Sequence, residues 1–271
     1  MNIDQAGISG HSRRQLARLT ASGRQIVSVD DAVHRLEVSR SDAAKMLARW
    51  AEQGWMRRVR RGLYIAVPVN VEHPERWTAN PFVVATAVWE PCYFTGWTAG
   101  NHWGLTEQIF QTVVVRTANR VRKHEQTLLD QKYLVGNVAP GRLEWGIRTE
   151  WIEGTKVRFA DEARVIVDVL DDPAVGGGIR HCADMLTEFL AEHDRSDLIA
   201  YADRLGNAAV FKRLGYLCDV LGLTDERFLS ECERRLSAGI ALLDTTVRPT
   251  GERDARWRIR INVGIGGSPA S

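Results

Sequence analysis

The sequence lacks the features of a membrane or secreted protein. No apolar run approaches the roughly 20 residues that span a bilayer, and the first residues lack the apolar core of a signal peptide. Cysteine is scarce, with four residues at positions 92, 182, 218 and 232 and no CxxC pair. We therefore expect a cytoplasmic protein whose cysteines are buried thiols rather than disulfides or zinc ligands.

The sequence also lacks recognisable catalytic motifs. It contains no HExxH, no GxSxG and no kinase-type pair of HRD and DFG. The glycines at 176–178 precede a predicted helix, but they lack the Lys-Ser/Thr of a P-loop and do not follow a strand. We interpret them as a helix-entry loop, and the aspartates at 171 and 172 as a helix end. No catalytic, metal-binding or cofactor-binding residues are predicted.

Net charge is small over the whole chain but large over its first quarter. The 271 residues carry 36 Lys and Arg against 34 Asp and Glu, a net charge of +2. Residues 1–67 hold 12 of the cations against 6 anions, a net charge of +6, so the remainder holds 24 against 28, or −4. A basic first quarter on a mildly acidic body indicates that one module meets nucleic acid while the rest has another task.

Residues 24–67 have the pattern of a helix-turn-helix. Ser28 can cap a first helix with acidic residues in its opening turn, and Glu37-Val38 then forms a short turn. Ser39 caps the second helix, whose apolar side faces inward and which Gly54 ends. The other side of this helix presents polar residues spaced four apart in one row, beside a further arginine. The DNA-contacting residues predicted on this helix are Arg40, Ser41, Lys45 and Arg49.

An arginine-rich hairpin follows the second helix. Arg61-Gly62 marks the turn between two short strands. Four arginines within five positions repel one another unless an anion lies nearby, and arginine binds phosphate through two parallel N–H bonds. A solubility patch is the alternative interpretation. We predict a wing that contacts the DNA backbone or minor groove through Arg57, Arg58, Arg60 and Arg61.

The remainder of the chain predicts a mixed fold. Alternating patterns between residue 109 and about residue 159 predict strands, and amphipathic helices then follow. A closing strand is predicted at 256–263. The polar connection 117–126 is interpreted as an exposed loop, with a second nucleic-acid contact as the alternative, and its basic residues are Arg120, Arg122 and Lys123.

These elements predict the α+β class. An N-terminal winged helix-turn-helix is expected at 1–68, and a proline-marked linker without periodicity at 69–80. A larger mixed α/β domain is expected at 81–271, with short strands followed by a helical bundle. At this length a second domain or an appended module is ordinary.

The segment IVSVDDAVHRLEVSRSDAAKMLARWAEQGWMRRVRRGLYIAVP resembles the N-terminal block of the AbiEi family of antitoxins. Later blocks resemble the family in the same order: TGWTAGNHWGLTEQ, DEARVIVDVLDDP, VFKRLGYLCDVLG and RWRIRINV. The resemblance implies a repressor that binds inverted repeats in its own promoter. It also implies a C-terminal domain that neutralises a toxin of the nucleotidyltransferase fold. The chain departs from the family at Glu162-Ala163-Arg164, where the family often has Glu-Arg.

Three classes of function follow from this pattern. The first is an antitoxin that also represses transcription. The second is a stand-alone winged-helix regulator whose C-terminal domain senses a small molecule. The third is a DNA-directed enzyme, although the body offers no D…ExK cluster on a strand. A neighbouring gene for a nucleotidyltransferase-like toxin would favour the first class, and metal-dependent DNA cleavage would favour the third.

Overall fold

The computed structural model describes residues 9–23, 25–68, 71 and 77–265. Its α-helices within those ranges are α1 (Gly10–Thr20), α2 (Val29–Leu36), α3 (Arg40–Glu52), α4 (Pro81–Trp89), α5 (Gly96–His102), α6 (Glu162–Asp171), α7 (Ile179–Glu192), α8 (Ser196–Leu205), α9 (Ala208–Val220) and α10 (Glu226–Glu233). Its strands are β1 (Ile26–Ser28), β2 (Met56–Arg60), β3 (Leu63–Ala66), β4 (Cys92–Phe94), β5 (Thr112–Thr117), β6 (Glu125–Leu128), β7 (Gln131–Asn137), β8 (Ile147–Ile152), β9 (Thr155–Ala160), β10 (Ala241–Leu242), β11 (Arg253–Asp254) and β12 (Ile259–Arg260).

The described strands form three sheets. The first has the order β1-β3-β2 and is antiparallel throughout. The second has six strands in the order β6-β7-β5-β4-β9-β8, with β6 and β7 as an antiparallel hairpin. The third is small, and its β12 pairs parallel with β10 and antiparallel with β11. This mixture of helices and sheets confirms the predicted α+β class.

The chain divides into two compact units. The first unit comprises Met1–Cys92, Thr117–Asn137 and Thr149–Val157, and the second comprises Tyr93–Arg116, Val138–Arg148 and Arg158–Ser271. The domain boundaries predicted at residues 68 and 80 stay a prediction. Most of the predicted linker, like residues 1–8, lies outside the described residues.

Local capping positions the helices of the first unit. The Ser28 hydroxyl accepts from the Asp31 N–H while the Asp31 carboxylate accepts from the Ser28 N–H, so both ends of a capping box are made. Glu37 has a left-handed φ of 55°, which ends α2 and turns the chain toward α3. The apolar sides of α1, α2 and α3 then close over one core, in which Leu47 and Trp50 are fully buried.

The reverse face of the first sheet covers a second core of the same unit. Val59, Leu63 and Ile65 are buried there against Val84 of α4, and Trp77 packs beside them. The wing is therefore held on both faces, and removal of everything after residue 68 would expose an apolar sheet face to water.

The second unit contains a helix that is buried along almost its whole length. Every residue of α6 from Glu162 to Leu170 is buried, including a charged pair. The Arg164 Nε donates to the Asp168 carboxylate at 2.7 Å, and the guanidinium lies 3.4 Å from the centre of the Trp145 ring. The arginine at which the chain departs from the AbiEi pattern thus has a packing role inside the second unit.

Several element boundaries differ from the sequence expectations. Strand β1 was not predicted, and β6 begins at the end of the connection interpreted as a loop and extends two residues past it. The amphipathic pattern over 225–244 predicts one helix, but α10 ends at Glu233, and the weaker helix formers Ser237 and Gly239 follow within a few residues. The closing strand shrinks to Ile259–Arg260, since Arg258 adopts a left-handed φ of 51° immediately before it.

The prediction that the cysteines are buried thiols rather than disulfides is confirmed. All four cysteines are free and buried. Burial raises the pKa of the Cys218 thiol to about 12, so this thiol stays protonated at neutral pH. As for membranes, no helix among the described residues has the length and apolar character needed to cross one.

Candidate nucleic-acid interface

Helix α3 presents one polar face to solvent. Its N-cap Ser39 accepts from the Asp42 N–H at 3.1 Å, as the sequence predicted. The inward face consists of Ala43, Met46, Leu47 and Trp50, all buried. The residues predicted to contact DNA from the outward face are all exposed, namely Arg40, Ser41, Lys45 and Arg49. An exposed row on the second helix of a helix-turn-helix is the arrangement that reads base edges in the major groove.

Arg40 differs from the rest of the row because it has a partner. Its guanidinium pairs with the carboxylate of Asp30, and both side chains are mostly exposed. An exposed pair of this kind contributes at most about 1 kcal/mol. A phosphate group can therefore take the place of Asp30 at little cost.

The N-terminal part of α1 lies beside this row. His11, Ser12 and Gln15 line a cleft of about 420 Å³ together with Lys45 and Arg49. Sequence reasoning missed these three residues as part of the surface, because only the packing of α1 on the other two helices brings them there. The exposed Arg13 and Arg14 lie on the same helix.

The wing is a hairpin with an irregular register. Arg61-Gly62 forms its turn, and Gly62 takes the left-handed φ of 79° that this turn requires. Arg58 pairs with Tyr64, whereas Arg60 pairs with Leu63, so a bulge lies between the two arginines. Cross-strand partners share a face of the sheet. Arg58 is therefore on the face of the three-helix core and Arg60 on the opposite face.

Arg57 is turned into the protein rather than toward solvent. Its guanidinium donates to the Trp77 carbonyl oxygen at 3.1 Å and pairs with the Asp130 carboxylate at 2.9 Å. Asp130 lies in the turn of the β6-β7 hairpin, whose Leu128 and Leu129 pack against the second core. Of the predicted wing arginines, Arg57 therefore acts as an anchor, while the exposed ones are Arg58, Arg60 and Arg61.

Most of the exposed cations of this surface lack carboxylate partners. Among the residues that the structure describes, no ion pair involves Lys45, Arg49 or Arg58, and none involves Arg60 or Arg61. Arginines of the second unit are commonly neutralised by carboxylates, as in the pairs Arg116–Asp172, Arg142–Asp171, Arg195–Asp225 and Arg235–Asp203. The predicted DNA-contacting surface thus includes five exposed cations without a carboxylate partner among the described residues.

The other sequence motifs have structural partners. Asp168 pairs with Arg164, and the aspartates at 171 and 172 pair with other arginines. The glycines at 176–178 lead into α7, where the carboxylate of Asp244 accepts from the Ile179 N–H at 2.8 Å. A protein carboxylate thus occupies the anion position at this helix start, in agreement with a plain helix-entry loop.

A helix-turn-helix with a hairpin wing, followed by a larger α/β region, places the chain among winged helix-turn-helix proteins. Residues 14–67 match the model of a family described as "Transcriptional regulator, AbiEi antitoxin", so this region is similar to the regulator domain of that family. The match covers most of α1, the helix-turn-helix and the wing, and the resemblance of the later blocks stays a prediction.

The fold likeness to a solved structure extends over nearly the whole chain. The crystal structure of the RV2827C protein from Mycobacterium tuberculosis superposes with a TM-score of 0.68 at 13% sequence identity. The alignment covers 95% of this chain and 93% of that one. At such low identity the likeness shows the fold alone. A comparison with curated protein sequences found no match.

Proposed function

We propose that the chain is a DNA-binding repressor that controls its own operon and, as an antitoxin, neutralises a nucleotidyltransferase-like toxin in the cytoplasm. The observation that carries the proposal is the exposed and largely unpaired basic surface on α3 and the wing, within the region that matches the regulator family. The proposal assigns no catalytic step and no cofactor to the chain. Its DNA target is the inverted repeat that the family resemblance implies.

In this proposal α3 enters the major groove. Lys45 and Arg49 lie one and two turns along the exposed row from Ser41, so they can reach successive base edges. Arginine that binds guanine through two hydrogen bonds discriminates against the wrong base by about 1–3 kcal/mol. Arg40 completes the row when a phosphate replaces Asp30.

The wing supplies contacts that carry no sequence information. Arg58, Arg60 and Arg61 bind phosphates or the minor groove, and Arg57 fixes the wing through Asp130 and Trp77. If about six phosphates are contacted per subunit, the logarithm of the association constant falls with the logarithm of salt with a slope of about −5.

Fluorescence anisotropy with promoter DNA and with a random duplex tests this assignment. Lys45→Ala/Arg49→Ala is expected to weaken binding to the promoter more than binding to the random duplex. Arg58→Ala/Arg61→Ala is expected to weaken both equally and to flatten the salt slope by about 2. The matched control Arg227→Ala/Arg253→Ala removes two exposed arginines outside the surface. If both variants bound the two duplexes with the same affinity as the control variant, the proposed interface would be refuted.

The antitoxin part of the proposal requires a separate assay. Because the wing packs against α4 within one unit, truncation after residue 68 would strip a core, so full-length variants are preferable. The wild type and Lys45→Ala/Arg49→Ala are each expressed from an unrelated promoter together with the adjacent toxin gene. We expect both to restore growth. Failure of the wild type to do so would refute the antitoxin role and leave the stand-alone regulator and the DNA-directed enzyme as the remaining classes.

A further inference from the structure

A second basic surface lies on the reverse side of the wing, in the same compact unit. The loop between β5 and β6 meets Arg60 and the end of α4 around a cleft of about 540 Å³. Its lining residues are Arg60, Val88, Trp89, Asn119, Arg120, Val121, Arg122, Lys123 and Gln126. This cleft brings together residues that the sequence separates by about sixty positions.

The loop that forms one wall of the cleft is held by specific hydrogen bonds. The Asn137 amide donates to the Asn119 carbonyl oxygen, and its own oxygen accepts from the Val121 N–H at 3.0 Å. Asn119 in turn donates to the Glu90 carbonyl oxygen at 2.8 Å, and Gln126 donates to that of Lys123 at 3.0 Å. The loop is therefore preorganised, so that binding an anion there costs little conformational entropy.

The cleft concentrates positive charge without internal neutralisation. Its basic side chains are exposed, and within the described part of the chain none of them forms an ion pair; they are Arg60, Arg120, Arg122 and Lys123. Gln126 lines the cleft, so its strand neighbour Glu125 points to the other face of β6. Four cations around one opening repel each other, and a polyanion relieves that repulsion.

We propose that this cleft binds phosphate groups of duplex DNA that continues past the wing. The inference rests on the proposed function, because Arg60 belongs to both the wing and the cleft, and Arg61 at the wing tip adjoins it in the chain. A backbone strand held at the tip can pass into the cleft, where arginine and lysine donate to its phosphate oxygens. The cleft adds affinity and leaves the choice of sequence to α3.

The test uses the full chain carrying Arg120→Ala/Arg122→Ala/Lys123→Ala, with anisotropy measured on a random duplex over a range of salt. Each phosphate contact releases about 0.9 counterion on binding, so the loss of these three contacts is expected to flatten the salt slope by about 2–3. The preference for promoter over random DNA is expected to stay unchanged. Arg120→Lys/Arg122→Lys keeps the charge and is expected to retain the wild-type salt slope. If these arginines had only a structural role, keeping their charge would not be expected to preserve the slope.

Arg227→Ala/Arg248→Ala/Arg253→Ala is the control, because it removes the same charge from exposed positions outside the cleft. If Arg120→Ala/Arg122→Ala/Lys123→Ala showed the same salt slope as this control, the inference would be overturned. If Lys45→Ala/Arg49→Ala still weakened promoter binding in that case, the proposed function would stand without the cleft. No binding of the wild type to any duplex would overturn both. Preferential binding of an RNA hairpin, lost in the loop variant, would also overturn the assignment to DNA.

Discussion

The substitution Arg164→Met is expected to destabilise the second unit more than any loss of an exposed ion pair. The Arg164 side chain is fully buried, and that of Asp168 is 7% exposed. Burial by itself would lower the pKa of the guanidinium, but Asp168 and Tyr93 together raise that pKa above its ordinary value. The arginine is therefore charged, and methionine would replace it with a neutral chain of similar length.

The magnitude follows from what the substitution leaves behind. The Asp168 carboxylate would keep its hydrogen bonds from Thr95 at 2.8 Å and Tyr93 at 3.1 Å but lose its buried counter-charge. Burial and Asp168 raise the pKa of Tyr93, so the phenol remains a donor and cannot supply a positive charge. Removal of one partner from a buried pair typically costs about 3–5 kcal/mol. The lost position over the Trp145 ring adds to that cost.

Denaturant unfolding followed by tryptophan fluorescence measures the effect, with Arg195→Met as the control. The control removes an exposed pair with Asp225 and is expected to cost no more than about 1 kcal/mol. Because the penalty arises from an unpaired charge, the double variant Arg164→Met/Asp168→Leu should lose clearly less than the sum of the single variants. Additive losses, or an Arg164→Met protein as stable as the control, would refute this reasoning.

Three further outcomes are expected. Arg57→Ala should lower the free energy of unfolding by about 1 kcal/mol and leave the salt slope of DNA binding unchanged. Arg58→Ala should flatten the salt slope and leave the free energy of unfolding unchanged. The reverse pattern would contradict the anchor role of Arg57. Burial would raise the pKa of Asp244, but hydrogen bonding outweighs burial and holds this pKa below its usual value. The ionised Asp244 therefore stabilises the folded protein above the unfolded-state pKa of about 3.9, and this stabilisation is lost as the pH falls through the folded-state pKa. Asp244→Asn should thus lower stability near neutral pH and weaken its dependence on pH below about 4, as acid titration would show. Gly215→Ala should lower the free energy of unfolding by about 1–3 kcal/mol, because a Cβ at this position of α9 overlaps the Trp257 ring. Adding Trp257→Leu, which places a smaller side chain there, should recover part of that loss.

The local features of the helix-turn-helix were predictable from sequence because their causes are local. Ser28 and Ser39 cap helices through atoms three residues away, and Gly62 meets the φ of one turn. The buried side of α3 follows from its period, and the exposure of Lys45 and Arg49 follows with it. These are properties that a stretch of about fifty residues carries within itself.

The grouping of the basic residues was decided by the tertiary structure. Alternation and one bulge send Arg58 and Arg60 to opposite faces of the wing, and the partner of Arg57 lies 73 residues along the chain. Spacing in the sequence contains no information about a carboxylate or a loop that arrives from so far away. The sequence alone thus determined that the first quarter is a basic winged helix, through capping, periodicity and charge. Long-range packing decided which arginines are anchored and which remain available to a ligand, because a side chain's partner is fixed only when distant segments meet.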